Sequence, residues 1–241
     1  YQQYDFAQKL NLQLSDSLLL RFNLQYSTTS DVPRSDQLAA RRNGELRFGE
    51  WSYGPQERLL ASLSLDLTSH SNVFDKGTVI FAYQQVGEDR LTRNLYSTER
   101  FVRQEDVGVT SLNIDMVKRL KRRRDLYYGM EVTNNEVISV AYIEDLSTGF
   151  RKHGPTRYPD GGSTMTTLAA YAALNAALRD NFTVNFGMRY SQSYLYSKFN
   201  DMTFYELTFR EVNFDNGALT GSLSLDYMPD ETWDIGLTAA T

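Results

Sequence analysis

The chain has 241 residues, of which 41% are hydrophobic and 23% charged, and its formal net charge is -5. No stretch approaches the ~18 consecutive apolar residues of a membrane-spanning helix, which excludes a helical membrane protein. Cysteine is absent, so disulfides and thiolate metal sites are excluded as well.

Alternating apolar and polar residues predict a succession of β-strands in the first half of the chain. Each strand has one apolar and one polar face, because successive side chains of a strand point to opposite sides. The predicted apolar faces lie at residues 10–14, 18–26, 59–67, 79–83 and 112–116.

The second half continues the pattern, most clearly at residues 182–190. There five apolar residues from Phe182 to Tyr190 alternate with polar residues and one glycine. Nine residues fit the ~9–11 that a tilted strand needs to cross a bilayer. The further predicted strands are 126–133, 164–178, 219–227 and 233–237.

Residues 164–178 are the one segment whose pattern fits two structures. Its alanines favour a helix, on which Leu168, Tyr171, Leu174 and Leu178 would share a face. The same segment has an apolar face with a period of two. A strand is preferred, because the neighbouring turn and the order of the connections require one.

The connections between the ten predicted strands alternate in length. Short turns are predicted near residues 15, 73, 121, 180 and 230, and long loops at 29–57, 91–104, 143–163 and 199–216. This asymmetry is typical of outer-membrane barrels, which have short periplasmic turns and long extracellular loops. The sequence therefore predicts an all-β fold, a partial transmembrane antiparallel β-barrel.

Both ends of the chain fall within this pattern. Residue 1 is a tyrosine, and the alternation is still running at residue 241. Backbone exposed to lipid must be fully paired, so the edge strands at 5–14 and 233–241 need neighbours. We expect residues 1–241 to be a fragment of a larger barrel domain.

Several segments resemble the barrel of TonB-dependent outer-membrane receptors, in particular the branch that takes up haem or binds haemoglobin or transferrin. The likeness covers nearly the whole chain in the same order. Its segments are Tyr26-Ser-Thr-Thr-Ser-Asp-Val-Pro-Arg34, Glu50-Trp-Ser-Tyr-Gly-Pro-Gln-Glu-Arg-Leu-Leu60, Arg157-Tyr-Pro-Asp-Gly-Gly162, and residues 83–90 and 105–115.

The resemblance implies a fold, a location and an activity. Such receptors are 22-stranded barrels in the Gram-negative outer membrane, closed by an amino-terminal plug, and the TonB complex drives transport by pulling on a TonB box. Ten strands would be about half of such a barrel, with the plug and the barrel's carboxyl-terminal part outside this chain. The implied function is import of haem, a siderophore or another iron chelate, which would be a transported ligand and not a cofactor.

The resemblance also implies where a haem ligand would stand. Haem receptors of this group share an outer-loop histidine near a Phe-Arg-Ala-Pro and an Asn-Pro-x-Leu motif. That segment is expected just beyond residue 241.

The third predicted loop contains the candidate ligand-binding residues. An imidazole can bind haem iron, and arginines can pair with propionates or anionic siderophores. The alternative is an ordinary solvated loop, and His70, before a short turn, is a weaker candidate still. The candidates are Arg151, His153, Arg157 and Tyr158.

Other charged residues favour simpler interpretations. The basic run 118–124 lies in a predicted periplasmic turn without interleaved aromatic residues, which favours anionic lipid headgroups over nucleic acid as its surroundings. Charges of both signs on the polar face are typical of a wetted lumen; they are Arg21, Asp66, Asp115, Glu131, Arg189 and Asp226.

No catalytic spacing is present, so an enzyme is not expected, and two histidines make a metal site built by the protein improbable. Three other functions remain open. One is a passive porin-type channel, one a TonB-dependent receptor for a cargo without iron, and one a soluble β-sandwich.

Overall fold

The computed structural model describes residues 1–241 and is dominated by one antiparallel sheet. Ten main strands follow one another in chain order, each hydrogen-bonded to the next, in the order β1-β2-β6-β7-β8-β9-β11-β12-β13-β14. The strands are β1 (Gln3–Ser15), β2 (Leu18–Thr29), β3 (Val32–Pro33), β4 (Arg41–Arg42), β5 (Glu45–Leu46), β6 (Phe48–Thr68), β7 (Lys76–Asn94), β8 (Glu99–Leu120), β9 (Arg124–Asp145), β10 (Arg151–His153), β11 (Ser163–Arg179), β12 (Phe182–Lys198), β13 (Glu211–Tyr227) and β14 (Ile235–Ala240).

The remaining elements are short. Strands β3 and β10 extend the sheet beside β6 and β9, whereas β4 and β5 form a separate hairpin. One helix, α1 (Ser35–Leu38), has four residues. The structure contains no helix that could span a bilayer.

The sheet has little hydrophobic core of its own, since only six apolar residues are buried. Its accessible surface is 15952 Å², whereas a soluble monomer of 27.6 kDa exposes roughly 11,000 Å². Large apolar side chains such as Leu63, Phe81 and Phe186 stay about half exposed on one face. That apolar face is suited to contact with lipid chains, since water would leave most of its hydrophobic surface unburied.

The opposite, polar face is tied together by side chains from neighbouring strands. Arg21 pairs with Asp66, and Arg189 pairs with Glu131, each across adjacent or near strands. Asn185 donates a hydrogen bond to Asp226. Four of the six predicted polar-face charges therefore meet in pairs of opposite sign.

A tyrosine and a glycine fix one part of this polar face. Tyr171 lies opposite Gly129, and its hydroxyl donates to Asp115 one strand further on. A Cβ at Gly129 would lie 2.7 Å from Cε1 of Tyr171. Only glycine leaves the space over which this ring lies, an arrangement that helps to set strand register.

The ten predicted strands are confirmed, including the ambiguous segment 164–178, which forms β11. Its alanines adopt a strand because both edges are paired along their length, with β9 and β12. Tertiary pairing thus overrides the helix propensity of alanine.

Three predicted loops are wrong in extent. In the segment 199–216, strand β13 already begins at Glu211. The segment 91–104 is mostly strand, because β7 continues to Asn94 and β8 begins at Glu99, which leaves a four-residue connection. Of the segment 29–57, only residues 30–47 lie between β2 and β6. Above the apolar band both faces of these strands carry polar residues, so the period of two disappears from the hydropathy.

The connections define two ends of the sheet. The short-turn end holds the connections at 16–17, 69–75, 121–123, 180–181 and 228–234. The loop end holds those at 30–47, 95–98, 146–162 and 199–210. Strands β6 to β9, with 19 to 22 residues each, extend furthest toward the loop end.

Candidate functional site

The loop end of strands β6 to β8 carries a group of charged and aromatic side chains on the polar face. Glu88 and Arg90 share the face of Thr78, which bonds to the polar-face residue Asp66. Cross-strand pairing places Tyr53 opposite Arg90, and Arg90 opposite Arg103. We call this group the loop-end cluster; it comprises Arg34, Trp51, Tyr53, Glu88, Arg90, Arg103, Glu105 and Arg157.

Two arginines of the cluster surround two aromatic rings. The guanidinium of Arg34 lies 5.1 Å from the ring centre of Trp51 and 5.2 Å from that of Tyr53. Arg90 lies 5.4 and 5.0 Å from the same two rings. Asp36 holds Arg34 through two hydrogen bonds, at 2.8 and 2.7 Å. Cation–π contacts and this carboxylate together fix the four side chains in place.

A second part of the cluster joins a loop to the strands. Glu88 and Glu105 are directly opposite each other on β7 and β8. Nη1 of Arg157, from the connection 146–162, lies 3.4 Å from a carboxylate oxygen of Glu88 and 3.2 Å from one of Glu105. The like charges of the two carboxylates are therefore bridged by one arginine.

Glu105 is the most buried acid of this group, with only 5% of the residue exposed. Burial raises the pKa of its carboxyl above the ordinary value, while Arg157 acts in the opposite direction. The hydroxyl of Ser139, which is 1% exposed, lies 3.5 Å from the Glu105 carboxylate. The connection 146–162 thus shields a charged group from water, and Arg157 is its main counter-charge.

Two arginines of the cluster, Arg90 and Arg103, have no close carboxylate partner. Arg103 donates to the carbonyl of Pro155 and forms no ion pair. Arg90 has only a distant carboxylate, Glu88 at 3.8 Å, and its buried Nε–H has no hydrogen-bond partner. Two adjacent guanidiniums with unused donors can bind a carboxylate, catecholate or phosphate oxygen.

A polar hollow of about 570 Å³ lies beside the cluster on the same face. Gln56 connects the two, because its amide lines the hollow and donates to Glu88 at 3.0 Å. Most of its lining residues carry amide, hydroxyl or charged groups, which offer both donors and acceptors. Its polar side chains include Gln3, Asp5, Gln25, Ser27, Thr29, Gln56 and Arg58.

The structure distributes the four candidate residues over two places. Arg157 belongs to the loop-end cluster, and its guanidinium lies 5.9 Å from the ring of the neighbouring Tyr158. Arg151 lies on β10, where it binds Glu144 at 2.8 Å and covers the ring of Tyr142. It is therefore not brought together with Arg157.

His153 is exposed at the end of β10, beside a cavity of about 180 Å³. Asp201, from the connection 199–210, lines the same cavity. Hydrogen bonds from Thr203 lower the pKa of the Asp201 carboxyl, with a small contribution from His153. No group of three or more histidine, aspartate or glutamate residues is placed to hold a metal ion.

Sequence reasoning missed most of the loop-end cluster. Trp51 and Tyr53 fall in the segment interpreted as a loop, and Arg103 falls in another. The available signal was the spacing of two between Trp51 and Tyr53 and between Glu88 and Arg90, which predicts that each pair shares one face of a strand.

Comparison with known proteins gives one family and several solved structures. The model of the family described as "TonB dependent receptor-like, beta-barrel" matches residues 4–241. No curated protein matches the sequence.

The solved structures are alike in fold but distant in sequence. The copper transporter OprC has a TM-score of 0.73 at 10% identity, over 95% of this chain and 34% of its own. The hemophore receptor HasR of Serratia marcescens, solved with its hemophore HasA and heme, has a TM-score of 0.68 at 13% identity, over 99% of this chain and 35% of its own. The ferric yersiniabactin uptake receptor FyuA of Yersinia pestis has a TM-score of 0.64 at 16% identity, over 98% of this chain and 37% of its own. The chain spans about a third of the length of these proteins.

Proposed function

The chain belongs to the TonB-dependent receptor β-barrel family, and on this basis we propose that it forms part of the wall of an outer-membrane receptor for haem or another anionic metal chelate. The TonB complex would supply the energy, acting through parts of the receptor outside residues 1–241. The family consists of transport receptors rather than enzymes.

The loop-end cluster is the observation that carries the proposed cargo class. It stands on the polar face, which would line the interior, at the end where the longer connections lie. Nη1 and Nη2 of Arg103 and Nη1 of Arg90 make no hydrogen bond, and Arg90 lies beside the rings of Trp51 and Tyr53. Carboxylates of haem or of a ferric chelate fit the guanidiniums, and planar ligand groups fit the aromatic surface.

Three residues of the connection 146–162, which we call the rim residues, supply a second set of contacts in this proposal; they are Arg151, His153 and Tyr158. His153 is exposed and could bind haem iron, and Tyr158 could pack against a ligand entering past Arg157. Arg151, held by Glu144, would add positive charge to the outer rim and attract anionic cargo.

Equilibrium titration of the full-length receptor with haem, an anionic ferric chelate and a neutral one tests this assignment. We expect the anionic ligands to bind more tightly than the neutral one. Replacement of both Arg90 and Arg103 by glutamine is expected to weaken anionic binding roughly 10-fold to 100-fold, the range of one charged hydrogen bond.

Arg41→Gln/Arg42→Gln is the matched control. It also removes two positive charges at the same end of the sheet, on the exposed β4–β5 hairpin, outside the cluster. Equal weakening by this variant, or tighter binding of the neutral chelate, would contradict the proposed role of the cluster.

A further inference from the structure

The turn between β8 and β9 carries the most concentrated positive charge of the chain. We call residues 118–124 the basic turn; six of its seven residues are lysine or arginine. The structure places its tip, residues 121–123, at the short-turn end, opposite to the loop-end cluster. The proposed transport function makes no use of it.

The backbone of this turn is strained for its sequence. Arg122 and Arg123 have φ angles of 64° and 55°, in the left-handed region that glycine and asparagine prefer. The chain uses the favoured pair elsewhere, since Asn43 and Gly44 form the β4–β5 turn with φ of 55° and 89°. Arginines at positions that suit Asn-Gly point to a role other than forming the turn.

Most of the charge has no carboxylate partner within the chain. Lys118 binds Asp75 at 2.9 Å, and Arg123 pairs with the fully exposed Asp180. The hydrogen bond from Lys118 lowers the pKa of the Asp75 carboxyl. The cations that form no ion pair are Arg119, Lys121, Arg122 and Arg124.

The position of the basic turn relative to the apolar face identifies its surroundings. Arg124 shares a strand face with Leu126, and Lys118 shares one with Met116, both part of the apolar band. Cations directly beyond a lipid-facing band lie at the depth of lipid headgroups, where long side chains reach the phosphates.

We propose that the basic turn is a binding site for the headgroup phosphates of anionic phospholipids in the leaflet at the short-turn end. This inference rests on the membrane placement within the proposed function, and not on the cargo. The unpaired cations of the basic turn provide the charge-assisted hydrogen bonds, and the apolar band beside them holds the acyl chains.

The test compares the full-length receptor with the variant Arg122→Asn/Arg123→Gly in nanodiscs of phosphatidylcholine mixed with phosphatidylglycerol. Native mass spectrometry gives the ratio of the two lipids retained by the protein. Asn-Gly suits the turn, so the variant is expected to fold while its retained phosphatidylglycerol falls roughly 5-fold or more for each charge removed.

The control variant Arg41→Gln/Arg42→Gln removes two arginines beside the Asn43–Gly44 turn, and we expect its lipid ratio to match that of the unchanged receptor. The proposal is overturned if the basic-turn variant keeps the same lipid ratio, or if both variants lose phosphatidylglycerol equally. Ligand titration of the unchanged receptor separates the two ideas, because failure to bind any anionic ligand, together with a retained preference for phosphatidylglycerol, would count against the transport proposal alone.

Discussion

Replacing Phe186 by arginine is expected to lower the free energy of unfolding of the full-length receptor by ~2–4 kcal/mol in lipid vesicles. Phe186 is about half exposed near the middle of the apolar face of β12, opposite Leu223 of β13 and Leu174 of β11. A guanidinium there would have to leave the water for the hydrocarbon. Urea titration of vesicle-inserted protein measures the loss.

Asn185→Arg is the matched control for this substitution. Asn185 directly precedes Phe186 on the strand and points to the polar face, where it forms hydrogen bonds with Asn175 and Asp226. We expect a cost well below that of Phe186→Arg, since the new charge can reach water and Asp226. Equal costs for the two substitutions would show that the two faces are assigned wrongly.

The second large effect is expected at Arg157. Arg157→Gln leaves Glu88 and Glu105 opposite each other with no bridging cation, and Glu105 is buried. The expected loss in the free energy of unfolding lies between the ~0–1 kcal/mol of an exposed ion pair and the ~3–5 kcal/mol of a buried one, because the Arg157 side chain is itself 34% exposed. We expect the structure to relieve the repulsion by lifting the connection 146–162 from the strands.

Ser139 provides a reporter for this movement. Residues 1–241 contain no cysteine, so Ser139→Cys introduces the only thiol of this part, at a site that is 1% exposed, and any cysteine outside it is replaced by serine. In the full-length receptor we expect slow modification by a water-soluble thiol reagent, and much faster modification when Arg157→Gln is added.

Arg151→Gln is the control for the reporter experiment, because it removes an ion pair to Glu144 in the same connection. Glu144 keeps Arg100 at 3.5 Å, so little change is expected. If the introduced thiol reacts at the same rate with and without Arg157, the arginine does not hold the connection in place.

The membrane part of this fold could be predicted from the sequence because a single physical constraint governs it. Lipid on one side and water on the other force strict alternation, as in residues 182–190, and a break in the alternation marks each short turn. Even the alanine-rich β11 follows this constraint, since Leu168, Leu174 and Leu178 must face lipid together.

The loop end could be predicted less well from the sequence, because that constraint does not apply outside the bilayer. Beyond it polar residues occur on both faces of β6 to β8, so hydropathy no longer separates a strand from a loop. Only hydrogen-bond pairing shows that Trp51 and Tyr53 lie beside Arg90, or that Arg157 reaches Glu105 from 52 positions away. The candidate site depends on these long-range contacts. From the sequence alone, only the spacing of two residues within each strand could be recognised.

Energised uptake is the most direct test of the central claim, that this chain forms part of a TonB-dependent importer. Cells producing the full-length receptor are supplied with iron-labelled haem or an anionic ferric chelate, with and without a working TonB complex. We expect accumulation that saturates with ligand and is lost without the complex. Uptake that rises linearly with concentration and is unchanged without the complex would indicate a passive channel and contradict the account.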